Sequence, residues 1–409
     1  MRRINFDHLS TTPCRPEVFE AMKPFFVDGF GNPSSLHQEG LQAREALTRA
    51  RRQIAAMIHA ESPDEIVFTS GGTEAANLAV KGVAWANQRR GRHLVVSAIE
   101  HPAVLNSVGF LEQQGFTATR VKVDGEGRLN PDDVRAALTD ETILIAIHHA
   151  NHDLGTLQPV AAIGELAAER GIAFLVDATT SGGWLPIDVQ AMGANLLALS
   201  PHRFHGPKGV GILYRNRRAR LVPIQHGGVQ EEGRRAGTEN VPAIVGAGVA
   251  AELAVRELPA RMTQLARLQQ RLWEGLRTRV PCVKLNGPDP GPGRIPTSLN
   301  VSTEFIEGEG QLLLCDLHGI AVASGSSCLG HALRISPTLE AIGLDPTLAQ
   351  GNLILSLGQD NTEDEVDRFL HVFADIVVPK LRSMSPSWED YQRGATDSLA
   401  SPRGPSEKV

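Results

Sequence analysis

Apolar positions alternate between two spacings along this chain. Over residues 37–60 (HQEGLQAREALTRARRQIAAMIHA) they recur at helical intervals among Arg and Glu, which predicts an amphipathic helix. Ser70-Gly71-Gly72-Thr73-Glu74 follows a strand-like run (65–69) and opens a second helix through Lys81. Short, strand-like apolar runs then come at 93–99, 142–149, 172–178, 196–200 and 210–214, separated by helical stretches such as 160–170. Such runs predict strands buried on both faces, joined by helices in βαβ units. The expected fold class is α/β, with a mainly parallel sheet flanked by helices in a large domain over 16–261.

Beyond residue 261 the pattern changes to a long Arg-rich amphipathic helix, a Pro/Gly loop at 287–296, short strands and more helix. A smaller α+β domain is expected there, over 262–383 with residues 1–15 added, and the Ser-, Pro- and charge-rich 384–409 is expected to stay disordered. No apolar run approaches the ~20 residues of a membrane span, and no apolar leader follows the basic N-terminus, so a cytoplasmic protein is expected. The formal charge of −6 comes without long single-sign runs, which argues against nucleic-acid or membrane partners. Cys14, Cys282, Cys315 and Cys328 lack the spacing of a disulfide framework or zinc ribbon, so any functional cysteine is expected to act as a thiol.

Three stretches carry candidate chemistry. Ser70-Gly71-Gly72-Thr73, between strand and helix, could hold a phosphate on its backbone N–H groups, or be a plain turn. Asp177 ends a predicted strand, where open α/β sheets place ligands and where a carboxylate could pair with a cationic ring nitrogen or cap a helix. Residues 200–209 (SPHRFHGPKG) gather hydroxyl, imidazole and cationic groups at another strand end. Cys328 lies in the small-residue stretch 323–330 (ASGSSCLG), suited to presenting a thiol, whereas the other three cysteines are expected to be packing residues.

Taken in order, the stretches DHLSTTPCRPEV, FGNPSSLH, DEIVFTSGGTEAANLAVKG, SAIEHPAVLNS, GTLQPVAAIGELAAERGI, GPKGVGILYRN, HGGVQEEGRRAGTENVPAIVG and ASGSSC resemble the cysteine desulfurases of the class V aminotransferase family. The resemblance runs from residue 5 to about 380. It implies a homodimer built on the pyridoxal-phosphate (PLP) transferase fold. In it Gly72 and Thr73 cradle the phosphate with Ser200 and His202, His101 stacks on the ring, and Asp177 pairs with the pyridine nitrogen. Thr238 falls on the position that reaches the partner subunit's phosphate. Cys328 falls on the thiol that takes sulfur from cysteine as a persulfide and passes it to an acceptor protein.

Four departures cut across this pattern. The lysine that bonds PLP is replaced by Arg203, whose guanidinium stays protonated and cannot act as a nucleophilic amine. The glutamine on the PLP phenolic oxygen is Thr180. The family's Asn-Asn-Glu reads Asn151-His152-Asp153, and the arginine that clamps the substrate carboxylate is Ile354. The expectation is a divergent desulfurase-like protein in sulfur trafficking or biosynthesis, with standard desulfuration lost or altered and any PLP bound non-covalently. Two alternatives stand beside it. One is an active desulfurase working through Cys328. The other is a metal-binding protein using His101, His152, Asp177 and His202.

Overall fold

The computed structural model describes residues 3–325 and 335–400, with side chains to residue 393. Its strands are β1 (Ile4–Asn5), β2 (Ile66–Thr69), β3 (His93–Ser97), β4 (Thr117–Val121), β5 (Thr142–His148), β6 (Ala173–Asp177), β7 (Leu196–Leu199), β8 (Gly211–Arg215), β9 (Val283–Leu285), β10 (Ser298–Thr303), β11 (Ile320–Ala321) and β12 (Asn352–Ser356). Seven form the central sheet in the order β2-β8-β7-β6-β5-β3-β4. Six of them run in one direction, and β8 opposes both its neighbours, β2 and β7. β5 and β7 are buried from end to end and β6 in all but its first residue, as their mostly apolar runs require when helices cover both faces.

One face packs against the helix Gln38–Met57 and the first half of the helix Val241–Arg279, and the other against Gly72–Asn87 and Pro102–Glu112. A second apolar cluster joins the antiparallel sheet β12-β10-β9 to the far half of Val241–Arg279 and to Glu363–Val372. That long helix differs from expectation. It runs unbroken past Pro259 and through residue 261, because apolar residues on both sides of that point face a core. β4 appears where no strand is expected, since its exposed edge position leaves it too polar to read as one.

Residues 386–400 of the tail expected to be disordered also differ. A helix, Pro386–Ala400, forms there, with Trp388 and Tyr391 packed on Phe305 and the Arg382 guanidinium 4.3 Å from the Trp388 ring centroid. Two aromatics and a cation give this segment a docking face that its overall polarity hides. Cys14, expected to be a packing residue, is exposed, and Cys282 is partly so; Cys315 is buried. Among the described residues no helix is long and apolar enough to cross a membrane.

Candidate functional site

The sheet register brings one edge together. Thr69 pairs with Gly211, Leu199 with Ile212, Asp177 with Ala198 and His148 with Asp177, so β2, β7, β6 and β5 end side by side. Ligands of open α/β sheets bind at this carboxyl edge. A cavity of about 410 Å³ opens there, lined by Gly72, Thr73, His101, Asp177, Ser200, His202, Arg203 and Lys208 among others.

Its floor at one end is the start of the helix Gly72–Asn87. That helix begins at Gly71 with no side-chain cap, so its first N–H groups and the positive end of its dipole face the cavity. Gly72 is required by space, because a Cβ there would stand 2.9 Å from Thr179 Cγ2 and 3.2 Å from Ser200 Cβ. Glu74 also lines the cavity: it takes up Ser70 N–H (2.7 Å), leaving the N–H groups that follow for an anion, and accepts from Arg235 Nε (2.8 Å), whose guanidinium balances its charge.

The turn after β7 forms one wall. Thr12 ties it down, donating from N–H and Oγ1 to the His202 carbonyl (both 2.8 Å) and accepting from His205 N–H (2.7 Å). Trp184 Nε1 donates to the Arg203 carbonyl (2.7 Å). His202 and Arg203 are thereby aimed into the cavity by the chain's N-terminal segment and a buried indole. Burial, together with the Arg203 and Lys208 charges, pushes the His202 pKa down to about 4.

The opposite wall carries the imidazoles. His101 starts the helix Pro102–Glu112 and its Nδ1 accepts from Ala103 N–H (3.1 Å), which puts the proton of the neutral ring on Nε2. The His152 ring meets it edge to face, centroids 5.2 Å apart. Burial above all, then the charge of His152 on His101 and that of His148 on His152, with Arg203 acting on both, hold both rings below the usual histidine range. Asp177 ends β6 and lines the cavity, and its Oδ1 accepts from Thr179 N–H (2.9 Å); a turn follows it, not a helix, so the helix-capping reading does not hold.

The structure thus gathers Gly72, Thr73, His101, Asp177, Ser200, His202 and Arg203 in one cavity. His152 stands one layer back, behind His101. Thr180 is buried and does not line the cavity; its neighbour Thr179 does. Thr238 is exposed and lines a separate cleft with Ser70 and Gly209. Ile354 is buried in β12, bonded through its backbone to Ala323. Cys328 lies outside the described residues. No group of three or more His, Cys, Asp or Glu among the described residues is placed to hold a metal ion, and the Arg203 charge acts on the same imidazoles.

The motif-by-motif reading missed Thr179 and the part played by Lys208. Alternation after β6 was the available signal for Thr179, and proximity to the 200–205 turn for Lys208. It also missed a buried pair behind the cavity, where His148 Nδ1 and N–H both bond Glu100 Oε1 (2.7 and 2.9 Å) and burial pushes the Glu100 pKa up.

Known proteins match this arrangement along almost the whole chain. The family model described as Aminotransferase class-V covers residues 4–369. "Cysteine desulfurase IscS" of Clostridium botulinum (strain Hall) is 44% identical over 392 residues, 96% of this chain and 98% of that protein. The protein of the same name from Methanosarcina thermophila is 46% identical, covering 94% of each chain. Among solved structures, a "NifS-like protein" superposes with a TM-score of 0.86 at 35% identity over 92% of this chain and 99% of its own. "SspA in complex with cysteine" superposes at 0.77 with 36% identity, over 88% and 100% respectively. With the PLP-transferase sheet, the glycine-floored cradle and these relatives in agreement, the chain belongs to the class-V aminotransferase family.

Proposed function

We propose that this chain is a cysteine-desulfurase-like protein of sulfur trafficking or biosynthesis that holds PLP without a covalent bond, and in which standard desulfuration is lost or altered. The observation that carries this reading is Arg203 on the cavity wall, at the position where the resemblance calls for the PLP-bonding lysine. The rest of the cavity suits the cofactor. Gly72, Thr73, Ser200 and His202 form an anion cradle at an uncapped helix end, and His101 offers a flat neutral ring. Asp177 offers a carboxylate for a ring nitrogen.

When bound, PLP supplies an electron sink for chemistry next to an amino group. The chain's own residues limit that chemistry. Arg203 keeps its proton and so neither bonds the aldehyde nor accepts a proton from substrate. Ile354, buried in β12, provides no cation for a carboxylate. His101, neutral with Nε2–H, can donate a hydrogen bond but takes up no proton near pH 7. Cys328 remains the expected sulfur carrier to an acceptor protein. A homodimer fits Thr238, which faces a cleft outside its own chain's cavity, and the exposed Phe19, Phe26, Val27, Phe30 and Leu36 near the N-terminus.

The test is the spectrum of purified protein loaded with PLP. The expected result is a cofactor that dialyses away and leaves no band near ~420 nm, and no mass added by borohydride, since no lysine linkage forms. A band that survives dialysis and is reduced would overturn the proposal. A second reading, an active cysteine desulfurase, is favoured by the 44–46% identity to proteins of that name. Release of sulfide and alanine from cysteine at an ordinary family rate would establish it instead.

A further inference from the structure

A buried polar network, separate from the phosphate cradle, joins the histidine wall of the cavity to both ends of the segment that contains Cys328. The segment 326–334 is bracketed by Gly325 and Ser336, and these meet: a Cβ on Gly325 would stand 3.0 Å from Ser336 Cβ. Gly325 N–H donates to Asn352 Oδ1 (3.1 Å), and Asn352 Nδ2 donates to Asn300 Oδ1, which also accepts from Asn286 Nδ2 (2.7 Å). Asn300 Nδ2 in turn donates to the Asp153 carbonyl (3.0 Å). From the other end, Ser336 Oγ donates to Asp153 Oδ2. Asp153, Asn286, Asn300, Ser336 and Asn352 are all buried.

Asp153 is the point where the two arms converge. It lies in a loop held rigidly from the cavity side: Asn151 Oδ1 accepts from the N–H groups of Asp153 and Leu154 (2.9 and 2.8 Å), and Asn151 Nδ2 donates to the Ile99 carbonyl (3.1 Å). The next residue back, His152, has its Nε2 3.9 Å from Asp153 Oδ1 and its ring against His101. In the arms through Asp153, Asn300, Ser336 and Asn352 the bonds named are made, while Asn286 Oδ1 stays buried and unpaired; breaking any of those bonds leaves a further buried polar group unpaired at its desolvation cost, which makes the connection stiff.

We infer that Asp153 is a positioning residue. Through Ser336 and Asn300 it sets where the two ends of the Cys328 segment stand relative to His152 and His101. The inference takes from the proposed function only the assignment of that wall to the ligand site.

The test reads iodoacetamide alkylation of Cys328, resolved by peptide mass spectrometry from exposed Cys14 and partly exposed Cys282, in protein without ligand. Asp153→Ala and Ser336→Ala are each expected to change the Cys328 rate by about threefold or more, and the double variant by no more than one of them. Ser336→Ala combined with His152→Ala is expected to be non-additive as well. Ser336→Thr, which keeps the hydroxyl, should restore the starting rate. Ser336 Oγ also accepts from Thr338 N–H (3.2 Å), so a purely local capping role would respond to Ser336→Ala and not to Asp153→Ala. Asp153→Asn preserves size should the alanine variant fail to fold, and its effect is expected in the same direction. Additive effects, an unchanged Cys328 rate, or an equal rise at Cys282 would overturn the inference. PLP binding is measured separately by absorbance, so its failure would remove the cofactor reading and leave these cycles intact.

Discussion

The two ends of the cavity make a comparison within one molecule. At the phosphate end, the uncapped start of Gly72–Asn87, Ser200 and His202 keep every feature an anion needs, and the glycine that floors it has no room for a side chain. At the amine end, Arg203 stands on the cavity wall where the family resemblance calls for lysine; His152, packed on His101, and Ile354, in the separate sheet β12-β10-β9, stand where it calls for asparagine and arginine. The cradle and Arg203 share one backbone frame, since the carboxyl edge of the central sheet carries both. On the proposed reading, the fold preserves a binding surface made of N–H groups and small residues while a side chain of covalent chemistry differs.

The largest effect that could break the contrast is Arg203→Lys. A nucleophilic amine on that turn is expected to capture PLP covalently, turning no reducible band into a stoichiometric one; continued absence of linkage would show that the amine end differs in more than one residue. Gly72→Val attacks the other end. Filling the cradle is expected to weaken PLP binding by tenfold or more, about 1.4 kcal/mol or above, in equilibrium dialysis, with both variant and parent compared at equal stability.

Acid should sharpen the comparison next. Burial holds His149 and His205 neutral in the folded chain, with pKa values pushed to about 4. Between that value and the ordinary ~6.5 the unfolded chain binds protons that the folded chain excludes. Stability present above pH ~6.5 is therefore lost as pH falls toward 4, by at most about 1.4 kcal/mol per pH unit for each histidine. Urea melts from pH 7 to 4 measure this. The smallest effect is expected for Thr238→Ala, which in the proposed homodimer removes one hydrogen bond to the partner subunit's phosphate, worth about 0.5–1.5 kcal/mol of PLP affinity.

Much of the frame was legible because burial leaves a strong linear trace. β5, β6 and β7 read as apolar runs, and Ser70–Thr73 between strand and helix reads as an anion cradle or a plain turn. β4 was hidden by its edge position, and the helix Pro386–Ala400 by the polarity around Trp388 and Tyr391. The site was legible to the extent that its residues sit in ordered motifs. Thr180 is buried beside Thr179, and His152 packs against His101; that Thr179 and His101 line the cavity while these neighbours do not is assigned by packing alone.

The sequence by itself determined the strand and helix frame, the glycine at the cradle and the chemical nature of Arg203, since period, backbone freedom and guanidinium basicity are local properties. The tertiary structure alone decided which loops share a cavity, which imidazoles are kept neutral, and that Asp153 meets Ser336 and Asn300. Those depend on burial and on contacts between residues as far apart as 153 and 336, and no local pattern encodes the desolvation that such contacts impose.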